Sequence, residues 1–263
     1  MNTKKALNIV IILLLIINVF MFVFLLYLNS SYSDRQNEIK YVKEILEYRG
    51  IVNEVTLDNN ANDKKPVIFG KGIFTDEFIT QVKEVTGGTV LSSKENTVLS
   101  YYQDSSLKEA DYISDRIDAD KRVRLFLDSI GFNHINYIVD NVTMSSRNTF
   151  NIKYIYSSKE ETMYDLYINA VVNEYGISNI VIRYIENEFT EGKSFKILPM
   201  TNVIMSNVVY REENSKGAGA NIIKRIDSGY KLDKNNVPQY VWRITYGDDT
   251  ISYFNAQNGH EIN

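Results

Sequence analysis

One uncharged segment near the N-terminus constrains this chain more than any other feature. No Asp, Glu, Lys or Arg occurs from Ala6 to Ser33, and 22 mostly apolar residues run from Leu7 to Leu28. At about 1.5 Å per helical residue the apolar run would be roughly 33 Å long, enough to cross a bilayer core of about 30 Å. We therefore predict a transmembrane helix over residues 6–28, with the lipid bilayer as a partner.

The charged flanks of this segment predict its orientation. Lys4 and Lys5 precede it, whereas Asp34 and Arg35 nearly cancel on its far side. Because Lys and Arg favour the cytoplasmic side, we expect residues 1–5 to be a cytoplasmic tail and the C-terminal body to be extracytoplasmic. The alternative is a cleaved signal peptide, whose apolar region is usually about 7–15 residues long and precedes an Ala-x-Ala-like site. The longer run, with no such site after it, favours an uncleaved signal anchor.

The composition of the body narrows its chemistry. The chain has 29 basic and 33 acidic residues, and leaving out Lys4 and Lys5 gives 27 against 33, a net charge of about −6. A nucleic-acid partner is not expected, because binding nucleic acid needs a basic surface. The chain has no Cys, which excludes disulfides, thiolate nucleophiles and Cys-ligated metal sites. An exported body without Cys is typical of a bacterial surface.

Apolar periodicity and turn signals divide the rest of the chain. A helical stalk is predicted over residues 29–50, with Gly50 as its C-terminal stop. A small β-α-β-β unit and a polar linker follow over 51–116, and Thr75 is expected to cap the helix of this unit. Strands are expected there at residues 67–69, 89–92 and 97–102.

The last two segments, residues 117–188 and 189–263, have the same order of elements. Each begins with a helix, continues with antiparallel strands and ends in two strands joined by a glycine turn. Asp118 is the expected N-cap of the first helix, and the second helix is expected over 199–210. The strands are predicted at 136–143, 149–157, 162–173 and 177–186, and then at 222–232, 240–246, 251–253 and 261–262. We interpret this as a loose duplication and predict an α+β fold of antiparallel sheets, each packed with a helix.

Motifs for catalysis or metal binding do not emerge from the sequence. The two histidines, His134 and His260, lack a second ligand at metal-binding spacing. The 33 acidic residues allow many carboxylate pairs, but no spacing selects one pair for glycoside cleavage. We therefore predict a protein that is not an enzyme, with no cofactor and no metal. Two alternatives stay open: a membrane-tethered cell-wall enzyme, and a structural envelope or division protein.

One polar residue stands out within the predicted span. Asn18 lies at its midpoint, where an unpaired carboxamide is costly. In lipid, Asn side chains tend to hydrogen-bond to another helix, for about 0.5–2 kcal/mol. The alternative is that Asn18 bonds to its own backbone. We take Asn18, Leu15 and Phe22 as a hypothetical partner-binding face in the membrane.

Several short motifs resemble those of one bacterial family. They are Leu15-Ile16-Ile17-Asn18-Val19-Phe20 in the predicted span, Val237-Pro238-Gln239-Tyr240-Val241-Trp242 before the C-terminal strands, and Asn255-Ala256-x-x-Gly259 at the last turn. On these residues the chain resembles the YycI family, whose members are membrane-anchored regulators of an essential cell-wall two-component system. The family often has an Asp-Trp pair after the first Met, where this chain has Asn2 and Thr3.

The resemblance implies a non-catalytic role in signalling. A protein of this kind would bind a sensor histidine kinase together with a companion anchored regulator, which is YycH-like, and would bias the activity of the kinase. The contacts would run through the membrane helices and the outer domains. The resemblance also implies the cell membrane of a Gram-positive bacterium as the location.

Overall fold

The computed structural model shows a mixed α+β protein with a sheet-rich body. It describes residues 3–58, 63–64, 66–69, 74–93, 96–103, 113–146, 148–158, 161–185, 187–189, 193–214, 221–233 and 237–262. The helices in this part of the chain are α1 (Thr3–Tyr48), α2 (Asp76–Thr86), α3 (Arg116–Ser129) and α4 (Met200–Asn214). The strands are β1 (Val52–Asn53), β2 (Asp63–Lys64), β3 (Val67–Phe69), β4 (Thr89–Ser92), β5 (Val98–Tyr102), β6 (Tyr137–Ser146), β7 (Thr149–Ser157), β8 (Thr162–Asn173), β9 (Gly176–Arg183), β10 (Asn187–Phe189), β11 (Phe195–Lys196), β12 (Ile222–Leu232), β13 (Pro238–Tyr246), β14 (Ile251–Asn255) and β15 (Glu261–Ile262).

Helix α1 joins the predicted span and the predicted stalk in one helix of 46 residues. It ends where the sequence predicts, because Gly50 adopts the left-handed conformation with φ 64°. The amide of Ile51 then donates to the carbonyl oxygen of Leu46 at 2.8 Å. Side chains of α1 are described for residues 13–25 and from 34 onward. Taking the described residues alone, no helix has the length and apolarity that a membrane span requires, so the transmembrane helix stays a prediction.

The chain folds into two compact units. The first unit consists of Met1–Ala61, Leu198–Ile226 and Ile244–Ile251, and the second unit contains the rest. In the first unit α1 packs against α4. Among the buried apolar side chains of this unit are Val42, Leu46, Val203, Ile204, Val208, Ile223, Ile244 and Tyr246. The helical and alternating spacing of these residues in the sequence predicts that they lie on buried faces.

The core of the second unit lies between two helices and one face of a sheet. Helix α3 contacts β7, β8 and β9, and α2 contacts β4. Alternate residues of the strands point into this core, among them Phe150, Ile152, Tyr154, Ile168, Ala170 and Val172. The helices contribute Ile79, Val82, Ala119, Val123 and Leu127 to the same cluster. The predicted strands over 149–157 and 162–173 are confirmed within a residue at each end.

The prediction of separate antiparallel sheets is wrong. Eleven strands form one sheet in the order β15-β14-β13-β12-β8-β9-β5-β4, with β1 beside β12, β7 beside β8 and β6 beside β7. Strand β9 pairs with β8 as far as Tyr167 and Arg183. Beyond this pair the same edge of β8 pairs in parallel with β12, through Met163 and Tyr230. A Cβ at Gly229 would lie 2.5 Å from the carbonyl oxygen of Thr162, so only glycine allows this approach. Two further pairs, β10 with β3 and β11 with β2, form small separate sheets.

The helix caps were predicted with one error. Thr75 caps α2 as predicted, because its Oγ1 accepts a hydrogen bond from the amide of Phe78 at 3.2 Å. Helix α3 is capped by Asp115 and not by Asp118. Asp115 Oδ1 accepts from the amides of Ile117 and Asp118 at 2.8 and 3.0 Å. The helix begins at Arg116, two turns before Val123, its first large buried apolar residue, so the apolar face alone does not locate the cap.

Candidate functional site

The three residues of the hypothetical partner face lie along one side of α1. The spacing of Leu15, Asn18 and Phe22 is i, i+3 and i+7, which brings side chains onto one helix face. Leu15 is 61 % exposed and Phe22 is 63 % exposed. All side chains from residue 13 to residue 25 are exposed, and all except Asn18 are large and apolar. This stretch of α1 therefore presents apolar side chains in every direction.

Asn18 makes a local contact. Its Nδ2 donates a hydrogen bond of 2.9 Å to the carbonyl oxygen of Leu14, one turn earlier in the same helix. The alternative reading of Asn18, a bond to its own backbone, is therefore formed. A carboxamide has a second N–H and an oxygen acceptor, so this contact leaves bonding capacity for another helix. Partner binding by Asn18, Leu15 and Phe22 stays a prediction.

The C-terminal part of α1 is fastened to α4 within the first unit. Thr201 Oγ1 donates to Glu38 Oε1 at 2.9 Å, and the Thr201 side chain is fully buried. Val42 and Leu46 follow Glu38 at helical spacing and are buried in the core of this unit. A single continuous helix therefore carries the exposed apolar residues in its N-terminal half and a packed polar and apolar contact near its C-terminus.

Helix α4 is in turn tied to the end of β13. The hydroxyl of Tyr246 donates to Asn207 Oδ1 at 2.7 Å, and both side chains are buried. Asn207 Nδ2 is buried without a hydrogen-bond partner in the described part of the chain. The first unit thus connects α1, α4 and β13 through two polar contacts, the part-buried Glu38–Thr201 and the buried Asn207–Tyr246. Buried polar contacts of this kind fix one arrangement of the elements that carry them.

A buried ion cluster in the second unit is centred on Arg243. The Arg243 side chain is 1 % exposed and that of Asp140 is 2 % exposed. The guanidinium donates to both oxygens of Asp140 at 2.8 and 2.9 Å, and to both oxygens of Asp227, each at 2.8 Å from its nearer nitrogen. Burial alone would lower the pKa of Arg243, but the hydrogen bonds to Asp227 and Asp140 outweigh it and raise the pKa above its ordinary value.

Other residues surround this cluster. The guanidinium carbon of Arg243 lies 4.5 Å from the centre of the Tyr164 ring, and the Tyr164 hydroxyl donates to Asp227 Oδ1 at 3.2 Å. Lys153 Nζ is 4.0 Å from Asp140 Oδ2. Burial lowers the pKa of Lys153, and the Asp140 carboxylate opposes this effect. The cluster connects β6, β12 and β13, and one guanidinium binds both the buried carboxylate of Asp140 and the partly exposed carboxylate of Asp227.

Sequence reasoning missed the Arg243 cluster. A usable signal was present, because Arg243 is the one charged residue in the strand Pro238–Tyr246. A charge inside an otherwise apolar strand predicts a buried partner. The partners themselves lie 16 and 103 residues away in the chain, and no local pattern identifies them.

Each of the two histidines lies in a connection between elements, His134 between α3 and β6 and His260 between β14 and β15. His134 Nε2 is 2.9 Å from Asp128 Oδ1, and His134 Nδ1 is 3.5 Å from a nitrogen of Arg124. His260 is exposed. No group of three or more His, Asp or Glu residues in the described ranges is arranged to hold a metal ion.

Comparisons with known proteins concern the fold alone. No family model matches the chain, and no curated protein does. The C-terminal domain of YpeB from Bacillus megaterium is similar at 8 % identity and a TM-score of 0.40, over 73 % of this chain and 97 % of that one. An uncharacterized protein from Eubacterium rectale ATCC 33656 is similar at 11 % identity and a TM-score of 0.48, over 81 % of this chain and 89 % of that one. The likeness is that of a broadly similar fold, and the YycI resemblance rests on the sequence motifs alone.

Proposed function

We propose that this chain is a non-catalytic, membrane-anchored regulator of a sensor histidine kinase that controls cell-wall homeostasis. In this proposal residues 6–28 cross the cell membrane of a Gram-positive bacterium, with the N-terminus in the cytoplasm and the body outside. A companion anchored regulator, similar to YycH, binds alongside. The sequence motifs that resemble the YycI family support this assignment, and so does the exposed apolar stretch of α1.

The observation that carries the proposal is the continuity of α1. One helix runs from Leu15, Asn18 and Phe22 to the packed contact between Glu38 and Thr201. A helix that is uninterrupted between two contacts transmits a rotation or shift at one end to the other. Binding of a kinase helix near Asn18 would therefore displace the end of α1 that contacts α4, and a displacement of α1 by the body would move its membrane segment.

The regulator must bind the two signalling states of the kinase with different affinities. A ligand with equal affinity for both states shifts nothing, however tightly it binds. An interhelical hydrogen bond from Asn18 is expected to contribute about 1–2 kcal/mol if it forms in one kinase state only. That difference corresponds to a shift of roughly 5- to 30-fold in the equilibrium between the two states.

Disulfide cross-linking tests the proposal directly, because the chain has no Cys of its own. Single Cys residues would be placed at positions 15, 18 and 22, and at 13, 20 and 24 on the opposite side of the helix as matched controls. Native membranes would be oxidised and the cross-linked partners identified by mass spectrometry. We expect cross-links to the sensor kinase or to the companion regulator from the first set and not from the second.

Substituting Asn18 tests the energetic part. Asn18→Leu removes the carboxamide and keeps an apolar helix, so insertion is expected to persist while association weakens by about 1–2 kcal/mol. Leu14→Ile, one turn away, serves as the control for a change of side-chain shape. Unchanged kinase output in the Asn18→Leu variant would contradict a role of this residue.

A span exchange separates the proposal from the two alternatives. Replacing residues 6–28 by poly-Leu preserves an anchor but removes the side chains of the partner face. A regulator of the proposed kind should lose its effect on the kinase. A tethered enzyme or a structural envelope protein should keep its function with any membrane helix.

A further inference from the structure

One face of the sheet in the second unit carries an unusual concentration of amide side chains. Across β6, β7, β8 and β9, the face opposite to that packed against α3 presents six polar residues. We call this set the amide face: Asn141, Thr143, Asn151, Lys153, Asn169 and Asn179. Together with Val171 they line a cleft of about 270 Å³, to which the chain at Ile152 and Ala170 also contributes.

The strand register arranges these residues in two rows that cross the strands. In one row Asn141 pairs with Lys153, which pairs with Asn169. In the next row Thr143 pairs with Asn151, Asn151 pairs with Val171, and Val171 pairs with Asn179. The rows lie two residues apart along each strand, which is roughly 7 Å, and adjacent strands are about 4.8 Å apart. The amide groups therefore form a grid and not a scattered set.

The second row continues beyond the amide face to an exposed aromatic ring. Asn179 pairs with Tyr102 on β5, and the Tyr102 side chain is 43 % exposed. A tyrosine ring at this place offers a flat apolar surface beside polar groups. The row from Thr143 to Tyr102 crosses five strands, which is roughly 19 Å at the usual strand spacing.

The fold alone does not call for these asparagines. Asn is depleted in strands, because its short amide competes for backbone hydrogen bonds and favours turns. Thr, Tyr or Val would suit the solvent face of a strand better. Asn141 and Asn169 are exposed, and Asn151 and Asn179 are half-buried, so their side chains contribute little to the core. A cluster that breaks the local preference without a packing gain is typical of a functional surface.

The amide groups of this face are also unused. In the part of the chain that the structure describes, none of the carboxamides of Asn141, Asn151, Asn169 and Asn179 hydrogen-bonds to another protein group. Each carboxamide offers two N–H donors and one oxygen acceptor. The face carries one formal charge, on Lys153, and the Asp140 carboxylate lies 4.0 Å from that ammonium group. The surface is therefore rich in paired donors and acceptors and nearly neutral.

We propose that the amide face binds a neutral glycan chain laid across the strands. This inference rests on the proposed extracytoplasmic position of the body, where cell-wall glycans are the abundant polymers. A sugar hydroxyl both donates and accepts, which a carboxamide matches in one contact. The Tyr102 ring would pack against the C–H face of a sugar at the end of the row. A polyanion would need several Lys or Arg residues, and an added peptide strand would pair with a sheet edge and not with this face.

The test is binding of soluble N-acetylglucosamine oligomers to the purified full-length chain in detergent micelles, measured by calorimetry. The double variant Asn151→Thr with Asn169→Thr removes two central amides and introduces residues that strands favour. We expect the wild-type protein to bind and the double variant to bind at least tenfold more weakly, at an unchanged or higher Tm. Asn37→Ala, an exposed asparagine of α1, is the matched control and should bind as the wild type does.

Two outcomes would overturn the inference. One is the absence of binding by the wild-type chain, and the other is equal binding by the double variant. Heparin serves as a polyanionic competitor. If heparin binds to the wild-type chain and Lys153→Met abolishes that binding, this result would also contradict a neutral glycan site. None of these measurements involves the kinase, and the cross-linking positions in α1 lie outside the amide face. A failed glycan experiment with intact cross-links would therefore remove this inference and leave the proposed function standing.

Discussion

Arg243 and Asp140 lie 103 residues apart in the sequence, and their side chains meet in a buried pair joined by two hydrogen bonds of 2.8 and 2.9 Å. Asp227 binds the same guanidinium from β12. A bidentate pair of this kind is directional, and it connects strands that are distant in the chain. The pair can therefore form only when the strands of the second unit that carry it are correctly arranged.

Removing the guanidinium should destabilise the protein strongly. Arg243→Met leaves the Asp140 carboxylate buried with two hydrogen bonds fewer, and breaking one side of a buried ion pair typically costs about 3–5 kcal/mol. We expect that loss in the free energy of unfolding, measured by urea denaturation of the full-length protein in detergent. Asp249→Asn is the control, because the Lys224–Asp249 pair is exposed and should contribute less than about 1 kcal/mol. Similar losses in the two variants would contradict a special role for Arg243.

Alkaline pH should weaken the fold partly through Tyr253. Burial raises the pKa of the Tyr253 hydroxyl from near 10 to about 12. In the unfolded chain this hydroxyl ionises first, so its contribution to stability is complete below pH 10 and is lost as the pH rises towards 12. Two pKa units set an upper limit of about 3 kcal/mol for this contribution.

The measurement compares the wild type with Tyr253→Phe in urea unfolding at about pH 9 and about pH 12. Other buried tyrosines, such as Tyr164, also have a raised pKa and add to the alkaline loss in both proteins. The difference between the two proteins isolates Tyr253, and the variant should lose less stability. Tyr48→Phe changes a side chain that is 85 % exposed and should behave as the wild type does. An equal loss for Tyr253→Phe and wild type would be the contrary result.

The contact between Glu38 and Thr201 should hold α4 against α1. Thr201→Val keeps the shape of the buried side chain and removes its hydroxyl donor. A hydrogen bond to a charged group is worth about 1.5–3 kcal/mol, and we expect a loss of stability of that order. Hydrogen exchange should speed up at the amides of α4 in particular. Ser206→Ala, which removes an exposed hydroxyl on the same helix, should change stability by about 0.5 kcal/mol or less, and an equal effect of both changes would argue against the contact.

The cap of α3 gives a sharp comparison of two chemically similar substitutions. Asp115→Ala removes the oxygen that accepts from the amides of Ile117 and Asp118, and it should cost about 1 kcal/mol, within a usual range of about 0.5–2. Asp115→Asn keeps an acceptor of the same length and should retain most of the stability. Thermal unfolding of both variants measures the difference. A melting temperature for Asp115→Ala equal to that of the wild type would show that the cap lies elsewhere.

The elements that could be predicted from the sequence depend on neighbouring residues. Alternation in Phe150, Ile152 and Tyr154 identified β7, because successive side chains of a strand point to opposite faces. Thr75 and Gly50 marked helix ends through their own side-chain and backbone preferences. The cap of α3 was placed at Asp118 for lack of a local criterion, since Asp115 also precedes an apolar face and only the backbone of the folded chain distinguishes the two.

The candidate sites divide in the same way. The face of Leu15, Asn18 and Phe22 could be drawn on a helix, because helical spacing alone places these residues together. The amide face could not, since the sequence puts Asn151 and Asn169 on the solvent side of their strands without saying which strands are neighbours. Lys153 lies between Asn141 and Asn169 only because β7 pairs with both β6 and β8.

The sequence by itself therefore determined the apolar N-terminal segment, the α+β class and most helices and strands, because each follows from residues within a turn or two of one another. Only the tertiary structure decided that strands from residues 117–188 and 189–263 share one sheet, that Arg243 joins Asp140 and Asp227, and that the asparagines of the amide face form rows. These features depend on contacts between residues as far apart as 103 positions. Which strands become neighbours is set by backbone hydrogen bonds, and many combinations of side chains are compatible with the same pairing. Contacts of this kind therefore produce no periodic pattern in the sequence.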